Sequence, residues 1–304
     1  MFSRTGPDSP AALSRIRGLR RPAARPAAVV AICAATAVAA GCSTGGTPSA
    51  TASPAGAGHS TTAGQGNSGP AAAALAIAAS QASKVTSYTS TISITATGTN
   101  ASSLNGSVAM QTKPTLVADE KFSGSTAQLP LPGGMEIILT SNTIYMKMSA
   151  LAKMVGKPWV KLDFSSLRNT SGLDLASMFQ QFQTSNPLAE AQMFAASTDV
   201  HQVGTQVING VPTTEYTGTY HIAAGLSRLS PSLRRMMGPA LSASGMTASQ
   251  FTIWVDGQHN VRKLVQTVSG NGTSITTTML VTSINQPVHV QLPPASQVAT
   301  MPGL

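Results

Sequence analysis

Thr91-Ile92-Ser93-Ile94-Thr95-Ala96-Thr97 (TISITAT, residues 91–97) places an apolar side chain at every even position and a hydroxyl at every odd one. Successive side chains on a strand point to opposite faces, so this spelling describes an antiparallel strand with one face on a core and the other in water. Working outward, the same period predicts strands over 105–113, 115–123, 133–140 and 142–149. The last carries Ile144, Met146 and Met148 on one face and Tyr145 and Lys147 on the other. Asn105-Gly106, Lys113-Pro114, Pro132-Gly133-Gly134 and Ser141-Asn142 are the turn signals between them. Lys157-Pro158-Trp159-Val160-Lys161-Leu162-Asp163 reads as a further short strand. Strands over 199–208 and 211–222 flank Asn209-Gly210, a strong hairpin signal, and three more fall near 250–256, 260–269 and 272–284. Their turns are Asp256-Gly257 and Gly270-Asn271-Gly272.

Helical spacing appears in three blocks. Pro70 opens an alanine-rich helix to about Val85, with Ala71, Ala74, Leu75, Ala78, Ala82 and Val85 on one face. Leu175, Met178, Phe179 and Phe182 form a second stripe, and Asn186-Pro187 starts another helix to about Ala196. A third region spans Gly225 to Leu241. About ten antiparallel strands with helices in blocks give an α+β design, a large curved antiparallel sheet packed around helices. There is no βαβ alternation, which disfavours a doubly wound nucleotide-binding domain. The end of the chain, Gln291 to Leu304 with Pro293-Pro294, reads as a wrapped or frayed tail.

The other end reads as a leader. Arg4, Arg15, Arg17, Arg20, Arg21 and Arg25 precede the apolar run Ala27 to Gly41, and Cys42 follows at once. A basic start, a short apolar stretch and small residues at the cut describe a secretory signal. Val38-Ala39-Ala40-Gly41-Cys42 reads as a lipobox, whose cysteine thiol takes a diacylglycerol before cleavage; Ala39 stands where a bulkier residue is usual. The alternative is a retained signal anchor, but fifteen residues rise about 22 Å as a helix, short of the roughly 30 Å hydrocarbon layer. The expected organisation is therefore a signal peptide over 1–41, a Ser/Thr/Gly/Pro tether over 42–69 and one folded domain over 70–304. The tether would reach about 30 Å as a random coil. The chain is expected on the extracytoplasmic face of the cell membrane, held there by lipid on Cys42.

The leader distorts the bulk charge. Of the 19 Lys and Arg and ten Asp and Glu, residues 1–41 hold six and one, which leaves 13 and 9 and a net charge of +4 rather than +9. A nucleic-acid partner loses its electrostatic support. Cys33 lies in the leader and Cys42 is the lipid site, so no cysteine remains for a disulfide or a thiolate metal site. Aromatics make up 4% of the chain and charged residues 10%, while 12 of the 13 Met follow the leader. That composition describes a soft, aliphatic interior.

Catalytic and cofactor chemistry is not nominated. His59, His201, His221, His259 and His289 have no metal spacing, no GxSxG occurs, and the neighbours Asp119-Glu120 point to opposite faces of a strand. The 225–241 region is more informative, with Leu226, Leu229, Leu233, Met236 or Met237 and Leu241 at spacings of three and four beside Arg228, Arg234 and Arg235. It reads either as helices covering the sheet with solvated arginines, or as a lid whose arginines meet anionic headgroups at a cavity mouth.

Several segments resemble a known group. "SYTSTISITATGT", "GKPWVKLDFSSL" (156–167), "INGVPTTEYTGTYHIAAGL" (208–226), "FTIWVDGQHNVRKL" (251–264) and "PVHVQLPPASQV" (287–298), together with the lipobox, resemble the LppX/LprA/LprF/LprG lipoproteins of high-GC Gram-positive bacteria. These are related in fold to the LolA-like carriers. The resemblance covers about residues 70–300, though 165–205 and 228–248 do not match closely. It implies a half-barrel of strands around helices, with an apolar cavity that holds acyl chains of glycolipids or other envelope lipids and moves them outward. It implies no catalytic residue and no cofactor. Trp159 and Trp254 match its Lys-Pro-Trp and Trp-Val-Asp strands without a ligand role attached. The cavity candidates in this chain are Ile92, Ile94, Met110, Ile144, Met146, Met148, Ile253 and Val255. The lid candidates are Leu229, Leu233, Met236, Met237, Arg228, Arg234 and Arg235. A non-catalytic envelope sensor or scaffold that binds a protein partner is the alternative on the same fold.

Overall fold

The computed structural model describes residues 69–98, 101–125, 130–163, 194, 197, 199–223 and 231–300. The expected leader, Cys42, the expected tether, the helix expected over 175–182 and, apart from Phe194, the helix expected from 186 to about 196 lie outside the described residues. Among the described residues, twelve strands form one open sheet. They are β1 (Ser87–Gly98), β2 (Ser102–Gln111), β3 (Val117–Ser125), β4 (Pro130–Thr140), β5 (Thr143–Met148), β6 (Trp159–Asp163), β7 (His201–Ile208), β8 (Val211–His221), β9 (Ala248–Asp256), β10 (Val261–Gly270), β11 (Thr273–Ile284) and β12 (Val298–Thr300). Their spatial order is β12-β6-β5-β4-β3-β2-β1-β11-β10-β9-β8-β7. Neighbours are antiparallel except β12, which runs parallel to β6 along Val298–Trp159 to Thr300–Lys161. The tail is thus tied to an edge of the sheet rather than frayed. Helices α1 (Pro70–Ala82), α2 (Ser149–Val155) and α3 (Pro231–Ser244) and a short 3-10 turn at Ala295–Gln297 accompany the strands.

The TISITAT strand, β1, sits in the middle of the sheet and pairs with β2 on one side and β11 on the other. Leading into it, α1 starts at Pro70 in the first turn and buries Ala71, Ala72, Leu75, Ala78, Ala79 and Ala82. Alanines on that stripe let the helix approach the sheet closely. Its core includes Tyr88, Met110, Ala118 and Leu139 from β1–β4 and Phe251, Ile253, Leu264 and Val281 from β9–β11, and α1 also touches β7 at the edge. Strands lie about 4.8 Å apart and a helix is about 10 Å wide. Strands from both halves of the sheet share one apolar cluster with α1, as in a sheet curved around a helix. The face that carries α1 is therefore the inner face.

Two glycines admit rings to that face. Phe122 lies over Gly106, where a Cβ would come within 2.4 Å of its ring, and Phe251 lies over Gly218, where a Cβ would come within 2.8 Å. Phe251 in turn stacks on Phe194 with ring centroids 4.2 Å apart. Asn105-Gly106 is therefore strand interior and not a turn. Pro132-Gly133-Gly134 is likewise inside β4, where it bulges opposite Ser123 between the pairs Met135–Phe122 and Leu131–Gly124. Asn209-Gly210 is the hairpin turn expected, with φ of 49° and 80°, the two positive values of a type I′ turn.

At the β9–β10 turn, Asp256 is 5% exposed. Its carboxylate accepts Gln258 N at 2.8 Å, Asn260 N at 2.9 Å and Arg262 Nε at 2.7 Å. Burial pulls its pKa up, but the bonds from Asn260 and Arg262 outweigh this and hold the carboxyl below its ordinary value. A lowered folded pKa gives stability that is present above about pH 4 and lost as pH falls through the folded value. Asp256→Asn keeps the turn's shape but sets an amide against Arg262. Urea melts should show a loss of about 2 kcal/mol at pH 7 that shrinks below pH 4.

Candidate functional site

Directly paired residues share a face, so the register fixes what lines the inner side. One row runs Tyr88, Met110, Ala118, Leu139 and Ile144. The next runs Ser90, Val108, Glu120, Ile137, Met146 and Val160. The third runs Ile92, Gly106, Phe122, Met135 and Met148, and continues on the other side through Met279, Leu264 and Ile253. All eight cavity candidates therefore lie on the inner face. Ile94, Met110, Ile253 and Val255 are buried there, while Ile92, Ile144, Met146 and Met148 are half-buried.

That split has a pattern. Over β8–β11, Tyr216, Phe251, Ile253, Leu264 and Met279 are buried in one cluster with α1 and the Phe194–Phe251 stack, while Gln266, Val268, Ile275 and Thr277 further along β10 and β11 are half-buried. Over β4 and β5 the apolar residues Met135, Ile137, Ile144, Met146 and Met148 keep accessible surface. With Ile92 they make an unbranched-and-branched aliphatic patch, and methionine's flexible thioether adapts such a surface to varied shapes.

Glu120 stands inside this patch. It is the one acidic or basic side chain on the inner face of β1–β6 among the described residues, flanked by Val108 and Ile137. Its burial pushes its pKa up to about 7, and the neighbouring Asp119 carboxylate adds to the shift. Asp119 points outward to Lys121 Nζ at 2.6 Å. In the same inner row, Ser90 Oγ is sealed from solvent without a hydrogen-bond partner. Alternation revealed that Asp119 and Glu120 part to opposite faces, but not which of them faces the closed side. The signal that selects Glu120 is its register with Val108 and Ile137.

The two tryptophans lie on the outer face. Trp254 sits beneath Lys263 Nζ at 4.2 Å and Trp159 beneath Lys147 Nζ at 5.5 Å. Both are about 6% exposed, so their motifs build the strands and not the inner patch. Of the lid candidates, Arg228 and Leu229 lie outside the described residues, as do the side chains of Leu233, Met236 and Met237. Arg234 and Arg235 are exposed on α3, which runs from Pro231 to Ser244 with Pro239 inside it; residues 225–230 of the expected helical region lie outside the described residues. Its C-terminal end is fixed to the β10–β11 turn, where Asn271 Nδ2 donates to Ala243 O at 2.8 Å. A surface hollow of about 390 Å³ near Gln81, Asn260, Arg262 and Asn285 is lined mainly by amides and hydroxyls, which suits it poorly to acyl chains.

No family model matches the chain. An uncharacterized 31.2 kDa protein in the rplA-rplJ intergenic region of Streptomyces griseus is 28% identical over 144 residues, which is 46% of this chain and 47% of that protein. The match thus spans about half the length of the curated relative. Among solved structures, LprF from Mycobacterium bovis is 14% identical with a TM-score of 0.46, covering 73% of this chain and 96% of that one. LppX from Mycobacterium tuberculosis is 18% identical with a TM-score of 0.38 over 73% and 97%. A LolA superfamily protein from Nitrosomonas europaea is 10% identical with a TM-score of 0.25 over 74% and 96%.

Proposed function

We propose that this protein is a lipoprotein, anchored through Cys42 on the outer side of the cell membrane, that holds the acyl chains of a lipid or glycolipid against the inner face of its sheet and carries them within the envelope. It does so without catalysis. The observation that carries this reading is the accessible Ile and Met patch over β4–β5, on the same face where α1 is buried. A contiguous apolar surface inside a curved sheet is what an alkyl chain fits. Each CH₂ withdrawn from water contributes about 0.8 kcal/mol, so a sixteen-carbon chain gains roughly 13 kcal/mol before the cost of association, which is itself about 4–15 kcal/mol. Two chains would bind firmly where one binds marginally.

Blocking the patch tests this. Met146→Trp should fill the space between Ile137 and Val160 and weaken binding of a fluorescent fatty-acid probe about tenfold or more, while circular dichroism stays unchanged. Undiminished binding would place the ligand elsewhere. A second substitution tests the lid. If α3 meets headgroups, Arg234→Ala with Arg235→Ala should weaken uptake of anionic phosphatidylglycerol several-fold more than uptake of neutral diacylglycerol. Equal losses would return the arginines to a solvated helix face.

A further inference from the structure

An acid enclosed among apolar side chains is retained against a free-energy cost unless something satisfies its oxygens. Glu120 is such a group. Across the sheet it faces Val108 and Ile137, and along its own strand Ala118 and Phe122 lie on the same side. Among the described residues, no donor is hydrogen-bonded to its carboxyl. Its outward neighbour Asp119 has Lys121 beside it at 2.6 Å, so the strand does supply a partner to the acid that faces water. The inner one is left without. Glu120 also keeps accessible surface, so the side chains around it do not seal it off. Ile137, Met146 and Met148 around it belong to the accessible patch.

We infer that Glu120 is a specificity-determining residue of the lipid site, one that accepts a hydrogen bond from a hydroxyl group of the bound lipid. This rests on the acyl-lipid reading and narrows it to lipids that carry a free hydroxyl beside their chains, whether on glycerol or on a sugar. A hydroxyl suits the position because it donates to a carboxylate and also accepts from a protonated carboxyl, so it satisfies either form. A fully esterified lipid offers only acceptors. It would leave an ionised Glu120 unpaired, and a buried polar group left unpaired is what separates close analogues most strongly.

The test uses the mature chain from residue 42 with Cys42→Ser, loaded separately with dioleoylglycerol, trioleoylglycerol and monogalactosyl dioleoylglycerol at pH 8, with occupancy read by native mass spectrometry. The expected result is at least tenfold preference for dioleoylglycerol over trioleoylglycerol, lost in Glu120→Leu and kept in part by Glu120→Gln, whose amide oxygen still accepts. Preference for the galactolipid alone, lost likewise in Glu120→Leu, would support the inference and assign the hydroxyl to the sugar. Binding of all three with ratios that Glu120→Leu leaves unchanged would overturn it while the acyl-lipid reading stands. Binding of none would overturn both.

Discussion

Glutamine in place of Glu120 is expected to stabilise the lipid-free protein by about 3 kcal/mol more at pH 8 than at pH 4. The sign follows from the direction of the shift. Burial raises this carboxyl from 4.5 to about 7 in the folded protein, so the folded state holds the proton more tightly than the unfolded one. Wild-type stability from this group is complete below about pH 4.5, falls as pH rises to about 7, and is flat above that. Glutamine cannot ionise and removes the whole dependence. The residues facing Glu120 on β2 and β4 are Val108 and Ile137, and the charge beside it is Asp119 on its own strand, so no cation on those strands is released to complicate the comparison. Paired urea melts of the two proteins at pH 4 and pH 8 measure it. An equal effect at both values would mean that Glu120 titrates normally and is bathed in water.

The second large effect concerns Gly106. Alanine there is expected to cost about 3 kcal/mol and to lower the melting temperature by roughly 6–12 °C. The added Cβ meets Phe122 Cδ1 at 2.4 Å and Lys121 O at 2.5 Å. A ring can turn away, but the carbonyl belongs to the β2–β3 ladder and yields only if the pairing itself shifts. Phe122 is also the floor of the Ile94–Leu104–Leu131 cluster, so displacing its ring disturbs the end of the inner face that Ile92 and Met148 share. Calorimetry on Gly106→Ala would show it. A melting temperature within 2 °C of wild type would mean that the strands there are looser than the packing implies.

Both residues illustrate what the amino-acid sequence displays and what it hides. Period-two spelling located most of the twelve strands to within two or three residues, because a half-buried strand must alternate. The same logic grouped Ile92, Ile94, Met110, Ile144, Met146, Met148, Ile253 and Val255, which do share a face. Local turn chemistry was less decisive. Asn-Gly at 209–210 makes a hairpin because nothing competes for the positive φ there, whereas Asn-Gly at 105–106 stays extended because Phe122 needs the missing Cβ. Seven-residue α2 is too short to show a helical period, and β12 has no alternation of its own; it exists by pairing with β6. Glu120 stayed hidden for a different reason. An acid in an alternating strand looks solvated until the cross-strand register shows which face is enclosed.

Whether the inner face holds acyl lipid can be read from the purified protein itself. Native mass spectrometry combined with organic extraction, on residues 69–304 purified from an envelope-containing host, tests it most directly. A bound mass at near-stoichiometric occupancy, released by extraction as an acyl lipid, is the expected result. A clean protein mass, unchanged after incubation with envelope lipids, would contradict it and leave the fold to a protein-binding role.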